Sequence, residues 1–195
     1  DIESKALTKL AANLDQKFSN LCEVILRSKG KIITLGVGKS GHIAQKISST
    51  LSSTGSPSYF IHATEALHGD IGVISKNDSV LIFSHSGESK EIIDLIPSLK
   101  NIGCKIFSFT GPTESTIAKK TDINISTEVD KEACPLDLAP TSSTTAALAL
   151  GDALAIALLE SRKFSPQDFA KSHPGGKLGK KLTLKVEDIM SKGKD

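Results

Sequence analysis

Ser79-Val80-Leu81-Ile82-Phe83 is continuously apolar after its first residue. It runs directly into Ser84-His85-Ser86-Gly87-Glu88-Ser89, and then into a helix-patterned stretch over 90–99. A strand without polar alternation is buried on both faces, as in a parallel sheet whose crossovers are helices. The same alternation repeats on either side. Strands are expected at 31–35, 58–61, 105–109 and 122–125. Helices are expected at 39–51, 115–119 and 143–160, with loop and short helix over 63–76. Five strands with right-handed crossovers predict an α/β fold: a three-layer α/β/α sandwich, doubly wound around a five-stranded parallel sheet. Ligands in such folds sit at the carboxyl ends of the strands, where this sequence places its polar and glycine-rich loops.

Residues 2–28 precede the first strand. Leu7, Leu10, Leu14, Phe18, Leu21 and Ile25 recur at spacings of three and four, the single stripe of one long amphipathic helix. Lys29-Gly30 would end it with a cation and a C-cap glycine. The stripe either docks the helix on the domain or serves an oligomer contact.

The chain has 195 residues, 24 Lys plus Arg against 22 Asp plus Glu, and a formal charge of +2. That balance gives no electrostatic reason to expect nucleic acid or an anionic membrane as partner. Aromatics are only 4%, which removes the usual base-stacking platforms. The apolar stretch 146–159, interrupted by Gly151 and Asp152, reads as too short and too polar to span a bilayer. No signal peptide is read at Asp1-Ile2-Glu3-Ser4. Three scattered cysteines, Cys22, Cys104 and Cys134, fit neither a disulfide framework nor a structural zinc site. A cytoplasmic location is the expectation.

Three loops carry chemistry. Gly36-Val37-Gly38-Lys39-Ser40-Gly41 ends like a Walker A motif, but position 33 is Ile where that motif needs glycine. It also satisfies GxGxxG, yet the second strand ends Phe60-Ile61-His62 without the acidic residue that would hold a ribose. A tight strand-to-helix turn explains the glycines but not Lys39 at the tip. The second loop, Ser84 to Ser89, offers three hydroxyls and the free N–H groups of a helix start, the parts of a phosphate cradle. Ordinary capping needs only one hydroxyl. The only arginines, Arg27 and Arg162, fall on expected helices away from these loops, so hydroxyls and backbone must hold any phosphate. The third loop, Thr141-Ser142-Ser143-Thr144-Thr145, reads as a second wall of the anion site, against a solvated helix start.

The acid–base candidates are His68, Glu91, Glu132 and His173. Each alone is more simply a surface charge or a satisfied histidine. Their setting in Gly-, Pro- and small-residue segments favours a functional role. His62 is a weak single-metal candidate, since two histidines six apart make no zinc site. Lys171, Lys177, Lys180, Lys181 and Lys185 read as a solvated tail.

The segments GVGKSGHIAQK (36–46), ALHGDIG (66–72), SHSGESKEI (84–92), EACPLDLAPTSSTTAALALGDALA (132–155) and DFAKSHPGGKLG (168–179) together resemble one family. It is the sugar isomerase (SIS) domain of the KpsF/GutQ family of D-arabinose 5-phosphate isomerases. The resemblance spans nearly the whole chain. It implies interconversion of D-ribulose 5-phosphate and D-arabinose 5-phosphate through an enediol, feeding synthesis of the eight-carbon sugar Kdo. It implies a homotetramer and no organic cofactor. Carried over by motif, Lys39, Glu91, Glu132 and His173 are the catalytic positions. The substrate-binding positions are Gly38, Ser40, Gly55, Ser56, His62, His68, Ser84, Ser86, Gly87, Glu88, Ser89, Thr141, Ser142, Ser143 and Thr144, with His62 also the place for an inhibitory zinc ion. Residues 1–186 are read as the SIS domain and 187–195 as a tail or the start of a linker. Family members often carry CBS repeats after the segment matching Val186-Glu187-Asp188-Ile189-Met190. Two rivals are a non-catalytic sugar-phosphate sensor, which needs the serine loop but no proton shuttle, and an isomerase for another sugar chain length.

Overall fold

A computed structural model of the chain describes residues 1–173 and Met190. Five strands form one parallel sheet: β1 (Ile32–Gly36), β2 (Ser58–His62), β3 (Ser79–Ser84), β4 (Lys105–Thr110) and β5 (Ile123–Ser126), in the order β2-β1-β3-β4-β5. Every pairing is parallel, with Ile32 opposite Ser58 and Ser79, and Phe107 opposite Ile123. The order reverses between β1 and β3, so crossovers on one side of that point cover one face and those on the other side cover the opposite face. β1 and β3 are buried along their whole length, as continuously apolar central strands must be.

The helices are α1 (Ile2–Asn13), α2 (Gln16–Arg27), α3 (Gly38–Ser53), α4 (Ala63–Leu67), α5 (Lys90–Ile102), α6 (Thr116–Lys120), α7 (Ser142–Ser161) and α8 (Pro166–Ser172), with a 3-10 turn at Asp70–Val73. One layer packs α2, α3 and α7 against Leu81, Phe83, Phe107 and Phe109. The other packs α4, α5 and Ile117 of α6 against Ile33, Leu35, Val80 and Ile82. Side chains alternate between the two layers along β3, so the three-layer expectation holds.

The N-terminal reading needs correction. Residues 2–28 are two helices, broken at Leu14-Asp15. Leu14 is extended, and Asp15 Oδ1 accepts the Lys17 N–H at 2.8 Å, capping α2. An aspartate that can close this local bond competes with continuing the helix. Leu10, Leu21 and Ile25 of the stripe are buried in the layer containing α7, so the stripe docks the helices on the domain. Gly30 is not a C-cap. Ser28 ends α2, with its N–H on Val24 and Ile25 carbonyls. Gly30 is needed because a Cβ there would lie 2.2 Å from the Asn77 carbonyl oxygen.

α7 also departs from expectation. At 20 residues it is, among the described residues, the one helix long and apolar enough by length and composition to cross a membrane. Here Ala146, Leu150, Leu154 and Leu158 are core residues against α3. α8 is absent from the expectations, although its capping box is written in the chain: Ser165 and Asp168 exchange side-chain and backbone hydrogen bonds, with Pro166 at the first position. The three cysteines are free, Cys22 and Cys104 buried and Cys134 half-buried. Pro174-Gly175-Gly176, Lys177, Lys180, Lys181, Lys185 and the boundary at 186–187 lie outside the described residues.

One carboxylate ties two strand starts together. Asp78 is 3% exposed. Its Oδ1 accepts the Lys31 N–H at 2.7 Å, and its Oδ2 accepts the Ser75 N–H at 2.7 Å and hydroxyl at 3.0 Å. Burial raises its pKa, but the bonds from Lys31 and Ser75 outweigh it and hold the carboxyl below its ordinary value. A carboxyl with a depressed folded pKa contributes stability above its unfolded pKa and loses it as pH falls through the folded one. Asp78→Ala strands buried N–H groups and is expected to cost about 1–3 kcal/mol in denaturant unfolding at neutral pH. The gap between parent and variant should narrow as pH falls below the ordinary carboxylate range and through the depressed folded value. A gap that does not change with pH would show that the charge is not what holds this turn.

Candidate active site

The carboxyl ends of β1, β3 and β4 open into a cleft of about 520 Å³. Three loops build it. The first follows β1: a Cβ on Gly36 would sit 2.9 Å from the Cα of Gly41, and one on Gly41 3.1 Å from the Gly36 oxygen. Gly36 and Gly41 of GxGxxG therefore serve close backbone approach. The same tight turn sets Lys39 and Ser40 at the cleft, with Lys39 exposed. Gly38 enters α3 at φ 54°, a left-handed conformation suited to glycine, and does not itself line the cleft.

The second loop follows β3. Ser84, Ser86 and Ser89 line the cleft. Ser84 and Ser89 share a hydroxyl hydrogen bond of 3.0 Å, and Ser86 Oγ accepts the Glu88 N–H at 3.2 Å. Gly87, at φ 66°, is buried where a Cβ would lie 2.1 Å from Ser115 Oγ, so it shapes the loop from behind. The Glu88 carboxylate is committed elsewhere. It accepts the Thr116 N–H at 2.7 Å at the start of α6, and this bond holds its carboxyl below the usual range. Within this chain Glu88 supports the fold and does not line the cleft.

The third wall is the segment from Thr127 to Ala147. Glu132 Oε2 accepts three hydrogen bonds: from the Thr141 N–H (2.7 Å), the Thr141 hydroxyl (3.0 Å) and the Ser143 N–H (3.2 Å). The Glu132 N–H donates to Asp137 Oδ1 at 2.8 Å, and the Ala133 N–H to Thr141 Oγ1 at 2.8 Å. The loop 132–141 is thus closed at its base onto the start of α7. Burial pushes the Glu132 carboxyl up, but the bonds from Ser143 and Thr141 outweigh it and hold the group below its ordinary value. The carboxylate is ionised at neutral pH, at the cleft wall. Ser143 and Thr144 line the cleft, Thr141 is spent on Glu132, and Ser142 is fully buried outside the lining.

Lys39, Glu132 and the hydroxyls of both Ser/Thr loops thus meet in one place. Other candidates do not join them within the chain. Glu91 stands in the first turn of α5, on the opposite face of the sheet. His62 ends β2 and caps α4, its Nδ1 accepting the Thr64 N–H at 3.3 Å, and His68 is exposed at the end of α4. Among the described residues no group of three His, Cys, Asp or Glu is gathered as a metal site, so His62 has no partners for a zinc ion among them. Gly55 and Ser56 precede β2, at the amino end of the sheet. Gly55 packs under Phe164, and Ser56 lies near Ser79 and Arg162, away from the cleft. His173 ends α8, its ring stacked on Phe169 at 4.0 Å between centroids. Its Nδ1 lies 3.0 Å from the Phe169 carbonyl oxygen, which can only accept, so Nδ1 carries the proton and Nε2 is the outward atom.

Sequence patterning does not single out Lys131, Asp130 and Asp137, which line the cleft. Asp130 accepts from Lys9 of α1 at 2.6 Å. Proximity to Glu132 in the chain is the available signal for all three. His85, which the motif reading leaves without a role, also lines the cleft.

The chain is similar to known proteins over nearly its whole length. The chain is 53% identical over 192 residues to arabinose 5-phosphate isomerase KdsD of Pseudomonas aeruginosa, covering 98% of this chain and 59% of that protein. It is 51% identical over 197 residues to the KdsD of Francisella tularensis, covering 100% of this chain and 60% of that one. The chain therefore spans about three-fifths of the length of these relatives. The solved structure of E. coli CFT073 c3406 in complex with arabinose 5-phosphate superimposes with a TM-score of 0.86 at 44% identity, covering 88% of this chain and 92% of that one. The SIS domain model matches residues 25–157, from the end of α2 through most of α7, and the chain belongs to the SIS domain family.

Proposed function

We propose that the chain carries an aldose–ketose isomerase site that interconverts D-ribulose 5-phosphate and D-arabinose 5-phosphate. The observation that carries the reading is the meeting of Lys39 and Glu132 with Ser84, Ser86 and Ser89 in one cleft. The names of the relatives and the neighbour bound to arabinose 5-phosphate support the substrate. The product would enter Kdo synthesis.

The reaction moves a proton between C1 and C2 through an enediol. It needs a base, a proton donor for the oxygens and positive charge beside the developing enediolate. Glu132 is the ionised base in this reading. Lys39 stabilises the enediolate oxygen. The serine loop anchors the phosphate, so that remote binding energy holds the sugar in reactive geometry. His173 acts on the sugar oxygens through Nε2, which in the neutral ring accepts a proton, as ring opening requires, and protonates an oxygen only by returning a proton it has taken up. Because His173 and Glu91 stand outside this chain's cleft, we assign them to a site completed by assembly, a homotetramer. Exposed apolar residues beside the edge strand, Tyr59 and Val73 at 60% and 49%, support self-association.

The direct test incubates purified protein with D-ribulose 5-phosphate and, in parallel, six- and seven-carbon ketose phosphates. Arabinose 5-phosphate should form from the first alone. Saturable binding without turnover would favour the sensor reading. Glu132→Gln keeps an oxygen for the Thr141 and Ser143 N–H groups, so its melting temperature should change little while kcat falls roughly 10²–10⁴-fold. Unchanged turnover would reduce Glu132 to a helix cap. Ser86→Ala should weaken substrate and inorganic phosphate by about 1–3 kcal/mol, read in KM and in the inhibition constant. His173→Asn should lower kcat by roughly 10²–10⁴ with KM nearly intact. Lost thermal stability in place of lost rate would make that histidine structural.

A further inference from the structure

His85 stands between Ser84 and Ser86, where the chain leaves β3. Its backbone is fixed. The His85 carbonyl oxygen accepts the Gly111 N–H at 2.8 Å, stitching the loop after β3 to the loop after β4. The imidazole then lies over Gly111. A Cβ on Gly111 would sit 2.9 Å from the His85 carbonyl oxygen, 3.0 Å from Cε1 and 3.1 Å from Nδ1. The ring therefore rests its Nδ1–Cε1 edge on a bare glycine, which leaves Cδ2 and Nε2 on the side away from that glycine, in a residue that lines the cleft.

Nδ1 is buried and has no hydrogen-bond partner among the described residues. A glycine has no side chain to offer one. A proton on Nδ1 would be a buried, unpaired donor, which is rarer and costlier than an unpaired lone pair. The neutral ring is therefore held as the Nε2–H tautomer, a donor on a residue of the cleft wall. Unlike a serine hydroxyl, which rotates and can also accept, this N–H only donates. Its neighbours in the cleft are Ser84, Ser86, Ser89 and Lys39, and neither arginine lines the cleft.

We propose that His85 is a phosphate-binding residue, its Nε2–H donating to a phosphate oxygen of the sugar phosphate held by the serine loop, with Gly111 required to seat the ring. This rests on the isomerase reading above and adds a fixed donor to the hydroxyls already assigned. A phosphate dianion offers only acceptors, so a fixed N–H is matched to it and forms a charge-assisted hydrogen bond.

The test uses the full chain. His85→Ala should raise KM for D-ribulose 5-phosphate and the inhibition constant for inorganic phosphate roughly tenfold, with any fall in kcat smaller than the rise in KM. His85→Gln, which can present an N–H at similar reach, should recover part of that loss. Gly111→Ala, which displaces the ring, should reproduce the His85→Ala effect on phosphate. Histidine nitrogen chemical shifts in the unaltered protein should report the Nε2–H tautomer, whatever the variants' stability. Phosphate affinity unchanged in His85→Ala but weakened in Ser86→Ala overturns the role of His85 alone. An Nδ1–H tautomer, or a loss confined to kcat, also overturns it. Phosphate affinity unchanged in both variants removes the anion loop itself, and this role with it.

Discussion

Parallel pairing constrains everything else in this molecule. A parallel strand cannot be rejoined by a tight turn, so after each of β1 to β4 the chain must return over a face of the sheet before the next strand begins. The returns bury both faces, which is why Leu81 and Phe83 point into one layer while Val80 and Ile82 point into the other. The same constraint brings every strand's carboxyl end to one edge. Loops that are scattered in sequence, around Lys39, Ser86 and Glu132, are neighbours there because the sheet order reverses between β1 and β3.

This explains how far sequence reasoning reaches. Continuous apolar runs mark buried strands directly, and each of β1 to β5 lies within a residue of its expected bounds. The break at Leu14-Asp15 is hidden, because a stripe with spacings of three and four continues across it. What stops the helix is one side-chain bond from Asp15 to Lys17, a competition that periodicity does not register. α8 carries its own signal in Ser165, Pro166 and Asp168 but has too few apolar positions to make a pattern. Gly30 follows a helix, where a glycine most commonly serves as a cap, whereas the distant Asn77 carbonyl decides its use.

The cleft is readable in its loops and less so in its membership. Ser84, Ser86, Ser89, Ser143 and Thr144, which hydroxyl surplus singles out, all line the cleft. That surplus cannot say that the Thr141 hydroxyl is taken by Glu132, or that the Glu88 carboxylate turns to Thr116. These are pairings across 9 and 28 positions, set by tertiary structure alone. Motif likeness groups Glu91, His62, His68, Gly55, Ser56 and His173 with the site, yet one chain's folding leaves them outside its cleft. Likeness groups positions by motif and carries no information on where the fold places them.

The formal charge of +2 hides a local asymmetry. α3, α5 and α7 begin at Gly38, Lys90 and Ser142, all at the carboxyl edge of the sheet. Each helix start carries roughly half a positive charge from its aligned peptide dipoles. Three such starts stand at that edge, where the ammonium groups of Lys39 and Lys131 are matched by the carboxylates of Asp130, Glu132 and Asp137, so what favours an anion there is the backbone of the helix starts and not a surplus of cationic side chains. An anion at that edge would be held by local backbone dipoles and not by the charge of the molecule as a whole. That pull falls off within the first turn of each helix, so it acts on an anion already in the cleft and at shorter range than the roughly 8–10 Å Debye length of physiological solutions.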